Sequence, residues 1–212
     1  MVEGNTLESK VYRKQRIRVI VITGSPGVGK TAVSKALADK LGVSYVSLTD
    51  IVKDENLVLG IDEKRETLIA DLERLSKRVL KVIRNSSKDL IVEGHYASDV
   101  VPASLVSYVF VLRCDPDDLR IRLEGRGYKE KKVLENVESE ALDVCLVNAI
   151  ERYSAKKADE IDTTHMTVNE VVDEIIQVLN GQKPMEIGKI DWLGKLEEEG
   201  RLEKFLNQLN WL

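Results

Sequence analysis

The sequence predicts an α/β fold, in which helices pack on the faces of a parallel β-sheet. Short β-branched runs alternate with longer amphipathic stretches, a glycine-rich loop follows the first run, and 43% of the 212 residues are hydrophobic. This length suits one domain with additional terminal segments. Because only 5% of the residues are aromatic, we expect a core of Val, Ile, Leu and Ala.

Five short runs have the composition of β-strands. Residues 18–23 form a continuous β-branched run, which is typical of a strand buried on both faces of a parallel sheet. The expected strands cover residues 18–23, 43–48, 90–93, 106–112 and 160–164. Because helical stretches alternate with them, we expect right-handed crossovers and a five-stranded parallel sheet. Ligands of such sheets bind beyond the carboxyl ends of the strands.

Apolar residues at helical spacing predict the helices. Gly42 is placed to end the first helix and Gly181 to end the helix after the last strand. We expect a long amphipathic helix over 63–84, with Leu68 at the start of its inner stripe. The expected helices cover 31–41, 51–55, 63–84, 116–124, 131–153 and 167–180.

The two ends of the chain differ from the central domain, which we place at 17–180. Residues 1–16 form a basic arm, interpreted either as a solvated tail or as a contact for RNA or a protein partner. Residues 181–212 are too apolar for a disordered tail, so we expect a C-terminal helical extension. It would pack on the domain or on a second subunit, which leaves a monomer or a homodimer.

Composition limits the possible partners and location. The net charge of −4 does not indicate nucleic-acid binding, although a local basic patch remains possible. Cys114 and Cys145 lack metal-ligand spacing and suit reduced thiols in a cytoplasmic protein. No apolar stretch approaches the roughly 18 residues of a membrane span, so we expect no membrane partner. The charged N-terminus does not resemble a secretory signal.

The segment GSPGVGKT, residues 24–31, matches the phosphate-loop pattern G-x-x-x-x-G-K-[ST] at Gly24, Gly29, Lys30 and Thr31. A predicted strand precedes it and a predicted helix follows it, as the pattern requires. Backbone N–H groups and the helix N-terminus make such a loop an anion site. Lys30 would reach the β- and γ-phosphates of ATP, and Thr31 would offer its hydroxyl to Mg²⁺.

An acidic residue and a histidine follow the third strand. Glu93 ends that strand, where a carboxylate commonly holds Mg²⁺ directly or through water. His95 should emerge on the same side, near the phosphates. It is interpreted either as a structural hydrogen-bonding residue or as a group that positions water, moves protons or contacts phosphate.

The basic segment RIRLEGRGYKEKK, residues 120–132, suits a lid, because phosphoryl transfer needs mobile cations and exclusion of water. The alternative is a solvated charged helix with a glycine break. Arg126 lies between Gly125 and Gly127 and is the candidate arginine finger. Arg122 lies one helical turn earlier and could face the same site.

Weaker signals mark the two substrates. Lys53 follows the second strand, where an acceptor phosphate could bind, although a surface lysine is the simpler interpretation. Thr163, Thr164 and His165 lie where an adenine ring could stack, although a plain loop is the simpler interpretation.

Three segments carry a family resemblance: GSPGVGKT, then EGHYASDVVP, then VFVLRCDPDDLRIRLEGRGYKEKKVLENVESEALDV. In order and spacing they resemble the adenylate kinase isoenzyme six family, the adenylate-kinase-like ATPases linked to small ribosomal subunit maturation. The resemblance runs from about residue 17 to residue 179. It implies a P-loop nucleoside monophosphate kinase fold with a short lid, ATP and Mg²⁺ as cofactors, and both adenylate kinase and ATPase activity.

The resemblance also implies roles for residues. The ATP site would comprise Gly24, Gly27, Val28, Gly29, Lys30, Thr31 and Ala32, with Arg126 as the lid arginine. Lys53 would approach the acceptor phosphate, and His95 would be the histidine associated with hydrolysis. The acceptor region would lie within 47–70 and the lid within 125–135.

The chain departs from the family at three positions. Glu93 replaces an aspartate, Lys53 replaces an arginine that would bind phosphate through two donors, and Ala32 replaces a hydroxyl residue. Three functions remain open: transfer from ATP to AMP, an assembly ATPase acting on a small-subunit ribosomal protein of the uS11 class and on rRNA, and a kinase of another small metabolite.

Overall fold

The computed structural model describes residues 17–63 and 67–209, and it contains the five-stranded parallel sheet that the sequence predicts. The basic arm at 1–16 and the last three residues of the extension lie outside the described residues. In chain order the strands are β1 (Val19–Thr23), β2 (Ser44–Ser47), β3 (Val58–Asp62), β4 (Thr67–Ala70), β5 (Leu90–Glu93), β6 (Val106–Arg113) and β7 (Ala158–Asp162). The parallel sheet has the order β2-β5-β1-β6-β7, so β1 and its following loop are central.

Ten α-helices and a short 3₁₀ helix (Ala155–Lys157) lie within the described part of the chain. The α-helices are α1 (Lys30–Leu41), α2 (Leu48–Asp54), α3 (Leu72–Asn85), α4 (Ala97–Val100), α5 (Pro116–Glu124), α6 (Glu130–Ala141), α7 (Val144–Tyr153), α8 (Val168–Leu179), α9 (Trp192–Glu198) and α10 (Leu202–Gln208). None of the helices in these ranges combines the length and the apolar character that a membrane crossing requires.

The side chains of β1 enter two separate cores. Ile20 and Ile22 pack with α1, α5, α6, α8 and the C-terminal helices. Val19 and Val21 pack with α2, α3, α4 and α7 on the opposite face. Burial on both faces explains why the strand is a continuous apolar run.

The prediction of one helix over 63–84 is wrong in its first part. Residues 58–70 contain an antiparallel hairpin of β3 and β4, and α3 begins only at Leu72. Asp71 caps this helix by accepting a hydrogen bond from the Arg74 N–H at 3.0 Å. The Asp71 cap sets the start of the helix, although apolar residues before it also have helical spacing. Leu68, expected on the inner stripe, lies in β4 and is 46% exposed.

The prediction of one helix over 131–153 is also wrong, because the chain turns between α6 and α7. Asp143 has a φ of 57° in this turn, a conformation that Asp adopts more readily than most residues. Its carboxylate pairs with the Arg113 guanidinium at the end of β6. A long-range ion pair therefore accompanies a turn that carries neither Gly nor Pro.

The C-terminal extension packs on the domain of its own chain. It crosses the free edge of β7, where the Glu160 N–H donates to the Glu186 carbonyl at 3.1 Å. Beyond this contact, α9 and α10 bury Trp192, Leu196 and Phe205. The expected helical extension is confirmed over 192–198 and 202–208, whereas residues 182–191 and 199–201 lack helical structure.

We expect Phe205→Ala to lower the free energy of unfolding by about 3 kcal/mol, because it removes a buried ring that packs α10 into the apolar core. Urea denaturation measures this change. Lys204→Ala, at the exposed neighbouring position, is the matched control. Equal midpoints for the two variants would contradict docking of the extension.

Candidate active site

The phosphate loop lies between β1 and α1 and presents open backbone to solvent. A Cβ atom at Gly29, where φ is 103°, would have no heavy atom within 4 Å. A Cβ at Gly27 would lie 2.7 Å from Leu119 Cδ1 of α5. The loop is therefore packed against α5 on one side and accessible on the other, as an anion-binding loop requires.

Lys30 is buried at the start of α1, and its ammonium group donates to the Ser25 carbonyl at 2.9 Å. Burial lowers the pKa of Lys30, and the positive charge of Arg126 acts in the same direction. The carboxylates of Glu93 and Glu140 oppose this change and favour the charged form. The loop thus holds a cation next to the space where phosphate would bind.

Glu93, Thr31 and Tyr45 form a small polar group beside the loop. The Thr31 hydroxyl and the Tyr45 hydroxyl donate to Glu93 Oε2 at 3.4 and 3.1 Å. Burial and the carboxylate raise the pKa of Tyr45, which keeps this donor protonated.

One carboxylate and one hydroxyl fit Mg²⁺ when phosphate oxygens and water supply the other ligands. Within the described ranges, no group of three His, Cys, Asp or Glu side chains could hold a metal ion without such help. The donors therefore suit a metal that arrives with its nucleotide.

His95 follows β5 and lies near the phosphate loop. Packing around the ring lowers its pKa to about 4, with further contributions from the positive charges of Lys30 and Lys132. His95 is nevertheless an exposed residue, so solvent partly screens these charges. The direction of the shift leaves His95 neutral at pH 7, able to accept a hydrogen bond or a proton from water.

The predicted lid is short. Residues 125–129 connect α5 to α6, and the remainder of 125–135 belongs to α6. Arg126 is exposed on this connection. The Arg122 guanidinium donates to the carbonyls of Thr163 and Thr164 at 3.0 and 2.7 Å, so here it binds the loop after β7.

The predicted substrate residues lie on two sides of the loop. Lys53 is exposed on the last turn of α2, next to the β3–β4 hairpin. His165 is exposed after β7. Thr163 is buried and donates its hydroxyl to the Val28 carbonyl at 3.0 Å, which ties the β7 loop to the phosphate loop. Ala32 is exposed on α1 and contributes only its backbone N–H.

Sequence reasoning missed Tyr45 and Glu140 as contributors to the site. Tyr45 lies on β2 and Glu93 lies at the end of the adjacent strand β5. Their contact depends on the register between these two strands, which the sequence does not give. Glu140 lies in a run of acidic residues on α6, where nothing in the sequence separates it from exposed carboxylates. Lys132 was noted as part of the basic segment but not as a neighbour of His95.

The fold and the site together define a phosphotransferase of the P-loop class. Residues 20–143 match a family model described as "AAA domain". A protein named "Putative adenylate kinase" from Methanocaldococcus jannaschii is 43% identical over 176 residues, which cover 83% of this chain and 93% of that protein. Its namesake from Pyrococcus furiosus is 39% identical, with 85% and 94% covered. The chain belongs to the family of these archaeal adenylate-kinase-like proteins.

Solved kinase structures share the fold. Shikimate kinase from Bacteroides thetaiotaomicron has a TM-score of 0.54 at 18% identity, with 77% of this chain and 98% of that chain covered. A gluconokinase from Sinorhizobium meliloti has a TM-score of 0.50 at 15% identity, with 79% and 94% covered. At these identities the likeness establishes the α/β P-loop kinase fold alone.

We expect the imidazole resonances of His95 to stay those of the neutral ring between pH 8 and about pH 5.5, since its pKa is lowered to about 4. Proton NMR measures this, and His95→Gln assigns the signals. Lys132→Met removes a nearby positive charge and should raise the pKa, whereas Lys131→Met is the control. Titration of His95 near the ordinary value of about 6.5 would contradict the described environment.

Proposed function

We propose that the protein is an adenylate kinase that transfers the γ-phosphoryl group of ATP to AMP and forms two ADP. The observation that carries this proposal is the open phosphate loop, with Lys30 at its end and the Thr31–Glu93 pair beside it. The names of the archaeal relatives support AMP as the acceptor. The resemblance to the isoenzyme six family supports the same activity in a cytoplasmic protein.

Positioning and charge compensation account for the chemistry in this proposal. Backbone N–H groups of residues 27–32 bind the phosphates. The Lys30 ammonium gives one of its three donors to the Ser25 carbonyl and offers the others to phosphate oxygens. Thr31 and Glu93 would hold Mg²⁺, which would supply positive charge to compensate the phosphates when it is bound with ATP. Arg126 moves over the phosphates with the lid. Arg122 Nη2 is bonded to two carbonyls of the β7 loop, so Arg122 offers its Nε and Nη1 donors to the phosphates.

The acceptor lies between α2 and the β3–β4 hairpin in this proposal. Lys53 offers a positive charge to the monophosphate, and the hairpin presents Leu59 and Ile61, which are 71% and 65% exposed, near the acceptor region. An AMP phosphate is already an anion, so transfer needs no general base. Lysine binds phosphate as a point charge rather than through two donors, which favours weak monophosphate binding.

A second candidate function is ATP hydrolysis, which the neutral His95 beside the phosphate loop favours. A neutral imidazole can accept a proton from an attacking water, a role that transfer to AMP does not require. The family resemblance links such hydrolysis to small ribosomal subunit maturation, with a uS11-class ribosomal protein and rRNA as partners. A kinase of another metabolite is the remaining alternative.

The test is a coupled assay of ATP with each nucleoside monophosphate, run beside phosphate release without an acceptor. Rapid ADP formation with AMP alone supports the adenylate kinase. Dominant phosphate release that responds to the ribosomal protein or to RNA favours the assembly ATPase. Absence of ATP binding to the wild-type protein would remove both candidates.

We expect Lys30→Ala to lower both activities by about 100-fold or more, because it removes the cation facing the migrating phosphoryl group. We expect His95→Ala to lower hydrolysis more than transfer. His95→Gln, which keeps a hydrogen-bonding group, should retain more hydrolysis than His95→Ala. Equal losses in the two reactions would remove the water-handling role of His95.

A further inference from the structure

Glu140 of α6 is 1% exposed, and its carboxylate accepts four hydrogen bonds. Oε2 accepts from the Ser25 hydroxyl at 2.7 Å. Oε1 accepts from Arg113 Nε at 2.7 Å, from the Cys114 N–H at 3.2 Å and from Trp192 Nε1 at 3.1 Å. These donors come from the phosphate loop, the end of β6 and the C-terminal extension. One buried carboxylate therefore joins three separate parts of the chain.

Ser25 connects this carboxylate to the phosphate-binding backbone. Its side chain binds Glu140, while its carbonyl accepts the Lys30 ammonium at 2.9 Å and the Val28 N–H at 3.5 Å. A shift of Ser25 would therefore move the partner of Lys30 and the turn that carries Gly27. The position of Glu140 is in this way transmitted to the phosphate site.

Charge pairing with Arg113 does not by itself explain why Glu140 is buried here, because Arg113 has two other carboxylate partners. The Arg113 guanidinium, itself 1% exposed, also pairs with Glu160 at 2.8 Å and with Asp143. Of these three carboxylates, Glu140 is the one bonded to the phosphate loop. Trp192 supplies the indole donor from α9 and is buried.

We propose that Glu140 is a positioning residue for the phosphate loop and that Trp192 docks the C-terminal extension onto it, so that ATP affinity depends on the extension. This inference rests on the proposed function, because it concerns the nucleotide that the loop binds. The extension is then part of the ATP site without contacting ATP. Loss of the Ser25–Glu140 hydrogen bond or of the Trp192–Glu140 hydrogen bond weakens ATP binding and leaves the acceptor site unchanged.

Ser25→Ala removes the hydrogen bond between the phosphate loop and Glu140, and it leaves the ion pairs of Arg113 intact. Ser34→Ala is a matched control, because Ser34 is fully buried on α1 and its hydroxyl has no hydrogen-bond partner in the described chain. We expect Ser25→Ala to raise the Kd and the KM for ATP about fivefold to tenfold, a typical coupling between sites. The KM for AMP of Ser25→Ala should stay within twofold of the wild-type value. The Kd and the KM for ATP of Ser34→Ala should also stay within twofold of the wild-type values.

Trp192→Phe removes the hydrogen bond between the C-terminal extension and Glu140, and it keeps an aromatic ring in the core. The control is Lys195→Met on the same helix. It removes the ion pair with Asp115 and the cation contact over the Trp192 ring, whose centroid is 5.6 Å from Lys195 Nζ, and it leaves the indole N–H donor to Glu140 in place. We expect Trp192→Phe to raise the Kd for ATP about fivefold, and Lys195→Met to leave it unchanged. Thermal unfolding separates this change in affinity from a change in stability.

The results distinguish two failures. If the wild-type protein binds no ATP, the proposed function fails. If the wild-type protein binds ATP, and either Ser25→Ala or Trp192→Phe binds it as tightly as its own control, the inference is wrong while the proposed function stands. A parallel increase in the KM for ATP and the KM for AMP would likewise overturn it, because positioning of the phosphate loop acts on ATP alone.

Discussion

A guanidinium group lies in the interior of this protein at the carboxyl end of β6, and the surrounding structure is arranged to pair its charge. An unpaired buried charge would cost several kcal/mol, so Arg113 requires carboxylates from its neighbours. They come from α6, from β7 and from the turn before α7. Because β6 is next to β1, this network lies directly behind the phosphate loop.

The same network explains features that are otherwise unrelated. It accompanies the turn at Asp143, which divides α6 from α7. It holds the start of the extension, because the Gly188 N–H donates to Glu160. It also reaches the phosphate loop through Ser25. Thus α6, β6, β7 and the C-terminal extension share one electrostatic anchor behind the phosphate loop.

The sequence predicted the parallel sheet and the phosphate loop because local pattern determines both. A strand buried on two faces is a continuous apolar run, and the loop has a spacing that short-range geometry requires. The hairpin at 58–70 was missed since Leu68, Leu72 and Leu75 keep helical spacing across a boundary set by the Asp71 cap. The turn at Asp143 was missed since its side-chain partner is 30 residues away.

The site shows the same division between local and long-range signals. Lys30, Thr31 and Glu93 follow from position along the chain, whereas Tyr45 and Glu140 act through contacts that only the tertiary structure creates. Arg122 was expected at the phosphates, and the structure has it on the carbonyls after β7. Its assignment to the phosphates therefore stays a prediction.

The bond between the Lys30 ammonium and the Ser25 carbonyl has a consequence for the cost of binding. An ammonium has three N–H donors, and the carbonyl accepts one of them, so the other two stay available to an anion at the loop. The same bond holds a long and otherwise flexible side chain in one direction. Under the proposed function, the cation is therefore preorganised before a nucleotide arrives, and little side-chain entropy is lost when the phosphates bind.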